Sequence, residues 1–155
     1  MTAGRHSAGL LLFRHAGGGL EVLLGHMGGP FFARKDAGAW TVPKGEYEAG
    51  EPAWDAARRE FREELGVAPP DGEAIGLGEV RQRGGKVVTA WAVEADLDPA
   101  SVVPGTFTME WPPRSGRVAE FPELDRVAWH GLDRARELIV TAQRAFLDRL
   151  AEHSV

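Results

Sequence analysis

The sequence predicts an α/β fold, helices packed on a mixed sheet as an α/β/α sandwich, in a single domain spanning residues 1–155. Three observations point there. Apolar runs of strand length, SAGLLLFR at Ser7–Arg14 and LEVLLGH at Leu20–His26, are joined by three glycines. A second pair of strand-like runs flanks Gly84-Gly85. Helical spacing of apolar residues occurs twice, once before Gly66 and once near the C-terminus. Strands, helix, strands, helix is an order that mixed layers accommodate.

Taken in order, Ser7–Arg14 and Leu20–His26 read as a hairpin turning at Gly17-Gly18-Gly19. His15 and His26 flank these strands without ligand-spaced partners and read as ordinary strand-end residues. Met27–Ala39 (MGGPFFARKDAGA) is too rich in Gly and Pro to be regular. It carries Phe31, Phe32, Arg34 and Lys35, a mixture that suits stacking a base and meeting phosphate oxygens, or simply pinning the loop to the core. Trp40–Pro43 reads as a short strand leading into Lys44-Gly45.

The stretch from Gly45 to Val67 organises the rest. Pro52 suits a first helical turn, Gly66 supplies the left-handed residue that stops a helix, and Ala53, Ala57, Phe61 and Leu65 form an apolar stripe between them. A helix turns about 100° per residue, so Glu60, Glu63 and Glu64 share one face, separate from that stripe. Three like charges this close call for a cation, and hard divalent metals prefer oxygen ligands.

Beyond the helix, Pro69–Gly72 is a break, and Ile75–Arg83 and Lys86–Leu97 read as a hairpin. Asp98–Arg117, with four prolines, reads as a long loop whose notable members are Trp111, Arg114 and Arg117. Val127–His130 is a last short strand. Leu132–Leu150 is one helix, with Ile139, Ala142, Phe146 and Leu150 facing inward.

Composition narrows the function. An apolar fraction of 43% and a charged fraction of 26% are ordinary for a globular chain. The net charge of −5 argues against a stable nucleic-acid partner. With no cysteine there is no disulfide framework and no thiolate for zinc or catalysis. The longest apolar runs are too short to cross a membrane, and no signal-peptide pattern opens the chain, so a cytoplasmic enzyme is expected.

Gly45, Glu51, Arg59, Glu60, Phe61, Glu63, Glu64, Gly66 and Val67 fill every fixed position of Gly-x5-Glu-x7-Arg-Glu-U-x-Glu-Glu-x-Gly-U, with U apolar. This resembles the Nudix box. The resemblance implies a mixed curved sheet between helices, and hydrolysis of nucleoside diphosphates linked to another group, with Mg2+ or Mn2+. By motif position it implies Glu60 and Glu64 as main metal ligands, Glu63 at a further ion or on water, and the Lys44 carbonyl completing the site. Arg59 and Glu51 would form a charge-assisted brace. The general base stays open between Glu63 and Glu123, the latter in FPELD, with Glu120 as the fallback. Pro43-Lys44-Gly45 resembles the lead-in to the box of dinucleoside polyphosphate hydrolases, which makes that nucleotide-type small molecule the expected substrate. Lys44, Arg34, Lys35, Trp111 and Arg114 are then candidates to bind it. A nucleoside triphosphate, oxidised ones included, is the alternative substrate, and a non-catalytic module that binds a nucleotide metabolite is the alternative function.

Overall fold

Strand β1 (His6–Ala16) has partners along both edges and helices over both faces. The computed structural model describes residues 5–153. One edge of β1 runs parallel to β6 (Val87–Glu94); the other pairs antiparallel first with β4 (Lys44–Glu46) and then with β2 (Gly19–Met27). β2 in turn pairs with β3 (Trp40–Thr41) and β9 (Leu124–Gly131), and β6 with β5 (Ala74–Arg81), giving a mixed sheet of seven strands.

Ser7–Phe13 are all buried, as a strand covered on both faces must be. Because side chains alternate, Leu10 and Leu12 pack with Phe61 and Leu65 of helix α1 (Ala53–Leu65), while Leu11 and Phe13 join the cluster of Leu138, Phe146 and Leu150 on the opposite face. The two-faced layering expected from the sequence is therefore present. Of the expected stripe on α1, Ala57, Phe61 and Leu65 are fully buried and Ala53 is half-buried; Ala56 completes the inner face. Fully burying Phe61 or Leu65 contributes about 1.5–3 kcal/mol each. Pro52 sits just ahead of the first turn, its carbonyl accepting from Ala56 N–H. Gly66 takes the left-handed conformation (φ 67°) and donates to the Arg62 carbonyl.

Two segments differ from the sequence reading. The stretch 98–117 is not loop throughout. Strand β7 (Thr106–Glu110) pairs with β8 (Val118–Pro122) in a separate two-stranded sheet. Its alternation of exposed and half-buried residues is short and lies between prolines, which hides it. The expected helix Leu132–Leu150 is two helices, α2 (Leu132–Leu138) and α3 (Arg144–His153), separated by extended residues and a single 3-10 turn. The cause is the run Ile139-Val140-Thr141: three β-branched residues resist helix. Here Ile139 bridges to Trp40 and Val140 N–H donates to the Trp40 carbonyl at 2.8 Å, so the break extends the sheet edge instead. Smaller shifts lengthen β9 beyond Val127–His130 and add β4 immediately after the expected strand at Trp40. Among the described residues no helix is long and apolar enough to cross a membrane.

Candidate active site

The pairing of β4 with β1 sets Lys44 opposite Gly9 and lays the start of the box against the carboxylate face of α1. Gly45 is required there. A side chain at this position would overlap the Glu60 carboxylate. The Lys44 N–H donates to Glu64 Oε2 at 3.1 Å. The far wall comes from the segment after the second hairpin. Val103 N–H donates to the Leu65 carbonyl at 2.8 Å and Gly105 N–H to that of Glu64 at 3.3 Å, which ties this segment to the end of α1. Glu123 N–H then donates to the Gly105 carbonyl at 2.8 Å, and its own carbonyl accepts from Gly28 N–H at 3.0 Å. The result is a pocket of about 460 Å3, into which Glu60, Glu63, Glu64 and Glu123 all face, with Lys44, Lys86, Glu46 and Thr106 at its borders.

Arg59 is bound to three of the carboxylates around it. It meets Glu51 through two nitrogens at 2.8 Å, Glu60 at 2.8 Å and Glu63 at 3.2 Å. The expected brace between Arg59 and Glu51 forms, and Arg59 in addition steadies two residues of the pocket. These contacts, led by Glu51, hold its guanidinium above even the usual arginine range.

Electrostatics divide the carboxylates. Glu64 is 9% exposed, and burial pushes its carboxyl up to about 8; Lys44 opposes this, while Glu60 and Glu123 add to it. Glu60 is raised chiefly by burial, against Arg59. Glu123 keeps contact with solvent, yet partial burial raises it too, against the pull of Lys44. Burial lowers Lys44; Glu64 opposes and the neighbouring Lys86 adds to the fall. Oxygen donors crowded until they resist ionisation are chemically suited to a hard divalent cation. Among the described residues no three acidic or imidazole side chains already converge as a cage. Glu60 is held by Arg59 and Glu64 by the Lys44 N–H, so seating an ion requires those side chains to turn.

The other candidates lie outside this pocket. Arg34 and Lys35 are exposed on the loop after β2, and Lys35 Nζ stands 5.8 Å from the Phe32 ring centre. Trp111 and Arg114 lie at the tip of the β7–β8 hairpin, five and eight residues past Thr106. Phe31 and Trp111 do meet, edge to face with ring centres 5.5 Å apart, so the loop and the hairpin tip form one aromatic surface. Glu120 is exposed and accepts from Thr106 Oγ1 instead of lining the pocket. Among the histidines, His15 is exposed, whereas His26 is fully buried: Nδ1 lies 2.9 Å from the Asp125 carboxylate and Nε2 2.6 Å from the Lys35 carbonyl. Lys86 is the residue that sequence reasoning passes over. It follows a glycine pair that reads only as a turn, although a lysine next to a tight turn was the available signal.

The family description NUDIX domain matches residues 4–150. No curated protein is similar enough in sequence to match. Among solved structures, a binary complex of the C. elegans Ap4A hydrolase is similar over 97% of each chain, with a TM-score of 0.69 and 22% identity. The NUDIX domain of Shewanella oneidensis NrtR, complexed with ADP ribose, is similar over all of this chain and 91% of that one (TM-score 0.64, 16% identity). A Nudix hydrolase from M. smegmatis, RenU, covers 97% and 86% (TM-score 0.59, 24% identity).

Proposed function

Because the chain belongs to the Nudix family, we propose that its carboxylate pocket hydrolyses a phosphoanhydride bond in a nucleoside diphosphate linked to another group, with a dinucleoside polyphosphate as the preferred substrate. The family match, the fold and the filled box make it a Nudix pyrophosphohydrolase. One observation supports the site assignment above the others: α1 and the β8–β9 junction present four carboxylates to one pocket bordered by two lysines.

Glu60 and Glu64 are the side chains that would hold Mg2+ or Mn2+, with Glu63 and the Lys44 carbonyl at the margin. A divalent ion bound there supplies charge neutralisation for the phosphates and a more acidic water. Arg59 and the Lys44 N–H hold Glu60 and Glu64 at the pocket until the two carboxylates turn over to an ion. Lys44 and Lys86 present ammonium groups to phosphate oxygens. Glu123 is the better candidate to accept the proton of the attacking water. It faces the pocket across from the helix, and its raised proton affinity suits a base. Glu63, by contrast, is already engaged by Arg59. Beyond the pocket, Phe31 and Trp111 offer an aromatic surface on which a base gains roughly 1–3 kcal/mol by stacking, with Arg34, Lys35 and Arg114 on the same two segments to meet charge.

The test is kcat/KM for diadenosine tetraphosphate beside ATP, an oxidised guanosine triphosphate and a nucleotide sugar at one magnesium concentration. Diadenosine tetraphosphate should lead. A preference for any other by about tenfold or more, about 1.4 kcal/mol in the transition state, replaces the substrate and keeps the hydrolase. No turnover of any of the four would support a binding module instead.

A further inference from the structure

A second pocket, of about 700 Å3, shares Lys86 with the carboxylate pocket. Arg81, Gln82, Arg83 and Lys86, from the β5–β6 turn, make its polar wall, and Val140 and Ala142, from the break between α2 and α3, an apolar one. Among the described residues Arg81, Arg83 and Lys86 form no ion pair. Three cations without a salt-bridge partner therefore gather at one cavity in a chain of net charge −5.

The cavity is braced from within. Gln143 is fully buried; it accepts from the Val42 N–H at 2.9 Å and donates to Gln82 Oε1 at 2.9 Å. Engaging that oxygen leaves the amide N–H groups of Gln82 as donors. The same Gln143 fixes Val42, two residues ahead of Lys44. The two pockets are thus linked by one buried amide and share one ammonium group.

We propose that the second pocket is a phosphoryl-binding site, with Arg81 and Arg83 as its guanidinium ligands and Lys86 reaching from it to the reaction site. Guanidinium groups pair with phosphate oxygens through two parallel hydrogen bonds, and the Val140–Ala142 wall gives an attached sugar or base an apolar face. The phosphoryl group is either the end of the substrate beyond the cleaved bond, which rests on the hydrolase reading, or free phosphate, which does not.

Titration calorimetry of the metal-free protein with pyrophosphate tests the site without turnover. Pyrophosphate held in the carboxylate pocket would survive loss of the two arginines, so comparison with the arginine variant reports the second pocket. Wild type should bind, the Arg81→Gln/Arg83→Gln protein at least about tenfold more weakly, and Glu64→Gln no more weakly than wild type. Circular dichroism checks that the variants fold. No binding to wild type at millimolar pyrophosphate, or equal binding by the arginine variant, overturns the proposal. Kinetics then separate the sources. A rise of about tenfold in KM for diadenosine tetraphosphate in the arginine variant assigns the site to the substrate's far end. An unchanged KM, with inhibition by added phosphate weakened about tenfold, assigns it to free phosphate. Loss of hydrolysis in Glu64→Gln bears on the reaction alone and leaves the pyrophosphate titration untouched.

Discussion

Arg59 holds Glu51 through Nε and Nη2, each at 2.8 Å, and this fork fastens the loop after β4 to the middle of α1. It also lowers the Glu51 carboxyl below its usual range, mainly through the hydrogen bonds. The stabilisation is therefore present above the ordinary glutamate value of 4.5 and is lost as pH falls below it. Arg59→Ala should lower Tm by a few degrees at neutral pH and bring its acid midpoint and that of wild type closer together. Because Arg59 also steadies Glu60 and Glu63, kcat/KM should fall by roughly tenfold or more. Thermal melts across pH with parallel kinetics check both; a stable, fully active variant would mean the arginine is idle.

Glu64 is a buried carboxylate with one hydrogen bond from the main chain. Glu64→Gln preserves shape and mimics the neutral carboxyl that burial favours, so the metal-free protein should melt no lower than wild type. Turnover should nonetheless fall by at least about a hundredfold, since even partners behind a metal ligand commonly matter by 10–100-fold. Full activity in excess chelator would show that the reaction runs without the ion.

Glu123 and Glu120 are neighbours in sequence with different surroundings: one faces the pocket, the other bonds Thr106 at the edge of the small sheet. Glu123→Gln should cut kcat by about a hundredfold or more with little change in KM, the signature of a lost proton acceptor, while Glu120→Gln stays near wild type. If neither matters, Glu63 becomes the base.

His130 carries a buried Nε2 with no hydrogen-bond partner, and its ring lies edge-on to Trp40 at 4.7 Å. Burial, aided by Arg134, lowers its proton affinity below the usual 6.5, against Asp36 and Glu21. The fold therefore favours the neutral ring. Stability is complete above 6.5 and declines as pH drops below it, because the unfolded chain takes up the proton first. His130→Phe keeps a ring against Trp40 and removes the titration, so Tm should fall less between about pH 7.5 and about pH 5.5 than in wild type. Equal slopes would count against it.

The parts legible in the sequence are those set by local geometry. Gly66 ends α1, the spacing of Glu60, Glu63 and Glu64 puts them on one face, and the all-apolar run of β1 requires cover on both sides. What escaped depends on distant partners. Ile139 and Val140 leave the helix because Trp40 accepts them as an extension of the sheet, and nothing near them in sequence announces Trp40. Lys86 enters the site only because β6 lies parallel to β1, a pairing between residues about eighty positions apart. Trp111 reads as part of a long loop, since the strands that lift it, Thr106–Glu110 and Val118–Pro122, are five residues each and pair with nothing else.

Buried His26 touches three parts of the molecule at once: its own strand, the carbonyl of Lys35 in the aromatic-bearing loop, and Asp125, two residues past Glu123. Its Nδ1 lies against the Asp125 carboxylate and its Nε2 against the Lys35 carbonyl, so the ring bridges the two. The loop is consequently no independent flap. Whatever displaces Lys35 pulls on the same ring that anchors the strand delivering Glu123, and Gly28, at the loop's root, holds the Glu123 carbonyl directly. Under the proposed function, contact of this loop with the outer end of a ligand and the aim of Glu123 are mechanically one adjustment, so variation in the loop should register in turnover as much as in affinity.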